Sequence, residues 1–290
     1  MQSLKNIEII AVNDYSNDYS LKIIKELAKN DSRIKIINNN KNRGLLYTRG
    51  MGIFHSSGKY LMNLDPDDEF ATIDDLQSLY DIIKKTKVDF ISFAYLEKNQ
   101  TKIKCSKLNK IIIQPELFKS IFNSKNNCVE DYLLWNKIIK KNLLTKAFKL
   151  FENKIYSKKW NYGEDTIWSI LINKYAKSMI CINKTIYLYK TNKDSLMRNR
   201  NNTIEINNRI YILEMYKEIF KFKDRKYLCA HILQFIFELK KDIIISIINK
   251  NSSLKKKIIE VLKPFLKKYY CSNYVIQKIH SFFNYIPENS

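Results

Sequence analysis

The first hundred residues alternate between two hydrophobic periods. Ile7–Val12 (IEIIAV) is a short, nearly continuous apolar run, the pattern of a strand buried on both faces of a parallel sheet. Ser20–Lys29 then places Leu21, Ile24, Leu27 and Ala28 on one helical face. Arg33–Ile37 reads as a second strand, and Leu45–Ser56 as a helix that Gly58 can close. Tyr60–Leu64 is a third strand, Asp74–Thr86 a helix with Leu76, Leu79, Ile82 and Ile83 apolar, and Val88–Phe93 a fourth strand. Strands alternating with helices predict βαβ units and an α/β fold with a mostly parallel sheet. In such sheets the ligand sits outside the carboxyl ends of the strands. Asp14 follows the first strand, and Asp65, Asp67 and Asp68 follow the third.

After about residue 100 the pattern changes. Pro115–Phe122 and Asp131–Lys141 read as short helices, the first with Pro near its first turn. Asp165–Ala176 is a helix entered through Gly163, and Ile180–Tyr189 alternates like a strand. From Ile204 to about His280 the chain reads as basic amphipathic helices, with no internal repeat. A polar stretch near 195–205 divides an α/β domain (1–200) from a basic helical region (201–290).

At 290 residues the chain can bury a substantial core. A composition of 45% hydrophobic and 28% charged residues excludes disorder and collagen-like architecture. With 51 Lys and Arg against 29 Asp and Glu the net charge is +22, which favours phosphates, nucleic acid or an anionic membrane face. Lys, Asn and Ile are heavily used throughout, as an AT-rich genome produces. That explanation ranks ahead of a specific polyanion site. Five cysteines with no C-x-x-C pair suggest neither a disulfide framework nor a zinc site, and reduced thiols in a cytoplasmic setting are expected. The three histidines are scattered. The best apolar run, Ile243–Ile248, is far too short to span a bilayer, and no secretory pattern follows Met1.

Asn63–Phe70 (NLDPDDEF) is the most informative stretch. Carboxylates at i and i+2 after a buried strand can share one hard cation, Mg²⁺ or Mn²⁺, whose remaining positions go to water and substrate phosphates. A polar turn opening the next helix explains the same residues. No G-x-G-x-x-G follows the first strand and no G-x-x-x-x-G-K-[ST] exists, so dinucleotide-binding and P-loop readings are disfavoured. Glu164 and Asp165 at a helix start read first as capping acids, a role compatible with catalysis.

Five stretches, in order, resemble family 2 glycosyltransferases of the GT-A fold: IEIIAVNDYSNDYS (7–20), RIKIINNNKNRGLLYTRGMGI (33–53), GKYLMNLDPDDEF (58–70), LLWNKIIKKNLL (133–144) and GEDTIW (163–168). The resemblance covers roughly residues 5 to 200 and leaves out the helical C-terminal region. It implies a Rossmann-like sheet flanked by helices and transfer of a sugar, with inversion, from a nucleotide donor such as a UDP-sugar to an acceptor hydroxyl. By resemblance, Asp14 contacts the donor's base or ribose. Asp65 and Asp67 form the D-x-D pair, one on the ribose side and one on Mn²⁺ or Mg²⁺. Arg49 matches the arginine of the A-R-N-x-G helix, where Gly50 replaces the Asn. Asp165 matches the catalytic base, beside Glu164 on the acceptor side. Glu130-Asp131 is a decoy for that pair. The helix expected after it carries Trp135, which either lines the acceptor cleft or sits in the core. Lys190, in the segment after the base, is a weak diphosphate candidate.

Family members begin with a further strand, loop and helix upstream of the IEII strand. That strand lies inside the sheet, so a unit of about 30 residues is expected to be missing here, with two ladder edges exposed or re-paired. Two alternatives stand beside the enzyme: a catalytically impaired relative, and a polyanion- or membrane-surface-binding protein acting through the basic helices of 204–280. The acceptor class is a glycan, lipid or protein, and no specific nucleic-acid partner is expected.

Overall fold

The structure, a computed structural model, describes residues 2–97, 100–102, 109–114, 116–117, 133–155, 164–190, 207, 210, 248, 251–263, 277 and 279. The chain divides into two compact units, Met1–Ile121 with Cys128–Ser195, and Phe122–Asn127 with Leu196–Ser290.

The first unit opens with β1 (Ile9–Asn13), α1 (Ser20–Asn30), β2 (Ile34–Asn38), α2 (Leu45–His55) and β3 (Tyr60–Met62). Next come β4 (Glu69–Phe70), α3 (Asp75–Thr86), β5 (Phe90–Glu97), β6 (Gln100–Lys102) and β7 (Ile111–Ile113). The last elements are β8 (Lys137–Lys140), α4 (Lys141–Ile155), α5 (Glu164–Tyr175) and β9 (Ser178–Tyr189).

The strands form two sheets. β1 and β2 pair with each other alone; the second sheet runs β3-β8-β5-β9-β4, with β6 beside β5 and β7 beside β9. The two longest ladders, β1–β2 and β5–β9, are parallel. The short ladders that widen the second sheet are antiparallel. Helices pack against both sheets, as an α/β Rossmann-like fold requires. The main core lies between α3 and strands β5, β8 and β9, around Leu79, Ile83, Ile91, Phe93, Ile138 and Ile186.

Three local expectations are corrected. Asp131–Lys141 is not a helix: within its described part, Lys137–Lys140 is a strand inserted between β3 and β5. Ile138 and Ile139, on opposite faces of that strand, are both buried, and a short apolar run covered on both sides has no period to read. β1 is not buried on both faces, for Ile9 is 40% exposed and only Asn13 is buried. Its one ladder partner is β2, and the described residues give it no second. α1 has the expected helical spacing yet buries no residue, leaving Ile23 and Leu27 more than half exposed.

Gly58 does not stop α2, which ends at Ser56 in extended backbone. It allows a close approach instead. An added Cβ would lie 3.3 Å from the Tyr60 carbonyl and 3.4 Å from Glu8 Oε1. The Glu8 carboxylate accepts from the Ser57 and Gly58 amides at 2.5 and 2.6 Å, from the Ser57 hydroxyl at 2.8 Å and from Lys35 at 2.7 Å. One side chain thus ties the start of β1 to the turn that enters β3.

In the second unit, α6 (Ser252–Leu262) is capped by the Asn251 side chain, which accepts from the Leu254 amide at 3.0 Å. Most of the expected Pro115–Phe122 helix, the Glu130-Asp131 decoy, Gly163 and most of Ile204–His280 lie outside the described residues. Among the described residues no helix is long and apolar enough to cross a membrane. Cys181 is buried, and the other four cysteines lie outside the described residues.

Candidate active site

The acidic loop leaves β3 at its carboxyl end, as the strand pattern predicts. Arg49 rises from α2 and is buried, with its side chain only 7% exposed. Its Nη2 donates to Asp65 Oδ1 at 3.2 Å and its Nη1 to Glu164 Oε1 at 2.9 Å. The same Nη1 donates to Asp165 Oδ1. One guanidinium therefore gathers the loop after β3 and the first two residues of α5. Glu164 and Asp165 occupy that helix's first turn, where the exposed amide dipoles favour negative charge.

The charges do not balance. One arginine faces Asp65, Glu164 and Asp165, with Asp67 close by on the same loop. Burial and the neighbouring Asp165 charge push Glu164 up to about 7, against the pull of Arg49. Burial also raises Asp165, with Arg49 opposing and Asp65 adding to the rise. Asp165 keeps 22% of its side chain exposed, whereas Glu164 keeps 8%. Of the two, Asp165 is the carboxylate that a molecule in the cleft can reach.

Asp67 is exposed, and Asp65 keeps 31% of its side chain accessible. Two oxygen ligands at i and i+2 in a surplus of negative charge fit a hard divalent cation completed by a ligand's own oxygens. Among the described residues no group of three or more His, Cys, Asp or Glu side chains is placed to hold a metal ion.

Asp68 faces the other way. It is buried and accepts from the Tyr187 hydroxyl at 2.8 Å and from the Lys190 amide at 2.8 Å. Burial raises its pKa, and the charges of Asp67 and Asp65 add to the rise. Lys190 itself pairs with Glu69.

Asp14 stands apart from the Arg49 cluster. It accepts from the Arg43 and Gly44 amides at 2.9 and 2.8 Å and from Asn39 Nδ2 at 2.8 Å. It fastens the turn that starts α2, where Gly44 adopts φ 88°, a backbone angle that favours glycine. Trp135 is 6% exposed, stacked on Tyr187 at 4.6 Å and on Tyr189 at 5.6 Å. It belongs to the main hydrophobic core. Sequence reasoning passed over Tyr187, which underlies both the stack and the acidic loop. Its signals were a place in an alternating strand and in the segment Tyr187–Lys190 that resembles the family's stretch after the base.

Comparison with known proteins identifies the family. A protein of Haemophilus influenzae named "Uncharacterized glycosyltransferase" is 31% identical over 183 residues, covering 58% of this chain and 52% of that protein. The Campylobacter jejuni "GalNAc(5)-diNAcBac-PP-undecaprenol beta-1,3-glucosyltransferase" is 27% identical over 196 residues, 65% of this chain and 57% of that one. The chain spans about half the length of these curated relatives. The crystal structure of S. aureus TarS 1-349 in complex with UDP-GlcNAc superposes with TM-score 0.61 at 17% identity, covering 98% of this chain and 84% of that one; it shares the fold. The sequence model described as "Glycosyl transferase family 2" matches residues 1–148, half of the chain, including Asp14, Arg49 and the whole acidic loop. The chain belongs to glycosyl transferase family 2.

Proposed function

We propose that the protein transfers a sugar from a nucleotide-sugar donor, a UDP-sugar, to an acceptor hydroxyl, with inversion at the anomeric carbon and Asp165 as general base. The observation that carries this reading is the Arg49 clamp, which sets the reachable Asp165 beside Asp65 of the donor-side loop. The UDP-GlcNAc complex of the TarS fold relative supports the donor class.

An acceptor hydroxyl is a poor nucleophile until its proton has somewhere to go. In the proposed step the hydroxyl oxygen attacks the anomeric carbon as its proton passes to Asp165 Oδ. The bond from that carbon to the diphosphate breaks, and the electron pair leaves with the nucleoside diphosphate. Arg49 opposes the effect of burial on the base and aims it. Asp14 orders the turn beside the donor's base and ribose, and Asp65 faces the ribose side. Asp67, with Asp65, would hold Mn²⁺ or Mg²⁺, which neutralises the diphosphate when bound. Glu164 lies on the acceptor side of the same clamp. The acceptor is a glycan, lipid or protein, and the basic stretches within 204–280 would rest on an anionic membrane face.

Thermal unfolding with Mn²⁺ plus UDP, run beside Asp67→Asn, tests the donor half. A ligand that binds only the folded state raises the midpoint. The expected result is a metal-dependent rise in the wild type and none in the variant. A wild type that unfolds cooperatively with no shift refutes the proposed donor.

A further inference from the structure

We infer that Tyr187 and Asp68 are positioning residues that hold the acidic loop in shape, so that the third aspartate of the D-P-D-D sequence is a strut and not a cation ligand. This rests on the donor site proposed above.

Tyr187 is fully buried on β9. Its ring is fixed by stacking on Trp135 at 4.6 Å with 25° between the planes. A ring held this way aims its hydroxyl. The oxygen accepts from the Asp65 amide at 3.1 Å and donates to Asp68 Oδ2 at 2.8 Å. The second Asp68 oxygen is taken by the Lys190 amide at 2.8 Å. The loop also closes on itself, with the Asp68 amide donating to the Asp65 carbonyl at 3.1 Å.

Just beyond, Glu69 and Phe70 pair with Leu188 and Tyr187, and the Ala71 amide donates to the Ile186 carbonyl at 2.9 Å. Residues 65–71 are thus fastened to 186–190. Fixing the Asp65 backbone turns its carboxylate toward Arg49, and tying both oxygens of Asp68 inward leaves Asp67 as the exposed acid. The three adjacent acids divide their work: one bridges to the base, one faces the ligand and one anchors.

The test uses the full chain and Tyr187→Phe, which keeps the stack and deletes the hydroxyl. Amide hydrogen exchange over residues 63–71 reads the anchor directly. UDP affinity with and without Mn²⁺ reads its consequence. The expected result is exchange about tenfold faster in that segment and a UDP dissociation constant about 5–30-fold weaker with Mn²⁺, the cost of one to two hydrogen bonds. UDP binding without Mn²⁺ should weaken less, whereas a tyrosine that only stabilised the fold would leave the affinity unchanged with and without Mn²⁺.

Asp68→Asn provides a second variant should the first lose its fold. A strut keeps part of its bonding as an amide, so its Mn²⁺-dependent loss should be well short of that of Asp67→Asn. Exchange and metal-dependent affinity unchanged in Tyr187→Phe, or Asp68→Asn as severe as Asp67→Asn, overturns the inference alone. A wild type without Mn²⁺-dependent UDP binding overturns the donor site and this inference with it.

Discussion

Arg49 and Asp165, 116 positions apart in the sequence, meet as an ion pair at the head of α5. That one contact joins the matched region of residues 1–148 to a carboxylate that lies beyond it. It also sets a carboxylate and a counter-charge within one side chain of the acidic loop. Burial raises the Asp165 pKa and Arg49 opposes that rise.

Asp165→Asn keeps the shape and removes the basicity. Initial rates with a UDP-sugar and its acceptor should fall about a hundredfold to ten-thousandfold, the usual worth of general-base catalysis. Calorimetric binding of Mn²⁺ and UDP should remain within about threefold of wild type, a difference of less than 1 kcal/mol. Equal loss in both measurements would mean that Asp165 serves binding.

Arg49→Met leaves Glu164 and Asp165 facing each other without the charge that pairs with both, Lys137 acting on Asp165 alone. Urea unfolding at pH 8 should show a loss of about 3 kcal/mol, in line with breaking a buried pair by removing one partner. The loss should shrink at pH 5, where the carboxylates can take up protons. Arg49→Lys should recover only part, because one compact ammonium cannot serve three carboxylates at once. Full recovery by Lys would argue against the forked geometry.

Glu164 makes stability fall as pH rises. Its pKa is pushed up to about 7 by burial and by Asp165, so the folded protein keeps a proton that the unfolded chain releases near the ordinary value of 4.5. The stability this proton contributes is complete below pH 4.5 and is lost as pH climbs through 7. Glu164→Gln lacks that loss. The midpoint difference between variant and wild type should therefore turn in the variant's favour between pH 5 and pH 8. A difference that stays flat across this range would remove the raised pKa.

Glu8 behaves in the opposite sense. Burial alone would raise its pKa, but Lys35 and the Ser57 and Gly58 donors bring it down to about 2. Its contribution is present above pH 4.5 and is lost as pH falls toward 2. Glu8→Gln should cost about 1–2 kcal/mol at pH 7 and much less at pH 3, measured by urea titration.

Strands β1, β2, β3 and β5 and helices α1 to α3 of the α/β region were legible because their apolar positions repeat cleanly, as Leu79 and Ile83 do on α3. β8 was not, since Lys137–Lys140 is flanked by lysines and its two isoleucines fit either period. Lys137 is buried because its ammonium reaches the Leu133 carbonyl and the Asn136 side chain, a compensation no pattern displays. Asp14, Asp65 and Asp67 were marked by their places at strand ends, whereas Arg49 and the role expected of Asp165 came from the resemblance. Spacing could not reveal that Arg49 would collect acids from both sides of the cleft. Tyr187 stayed hidden because a tyrosine in an alternating strand looks like any core residue until its hydroxyl is placed.

The split between the sheets bears on how the cleft breathes. No ladder among the described residues joins β1 and β2 to β3 and its neighbours. The smaller sheet, with Asp14 at its end, is held instead by Glu8 and by the packing of α2, where the Gly52 site lies 3.8 Å from Val12. Side-chain ties of this kind yield one at a time, whereas the anchored acidic loop shares a ladder with β9. The amides of β1 and β2 are therefore expected to exchange with solvent faster than those of β4 and β9.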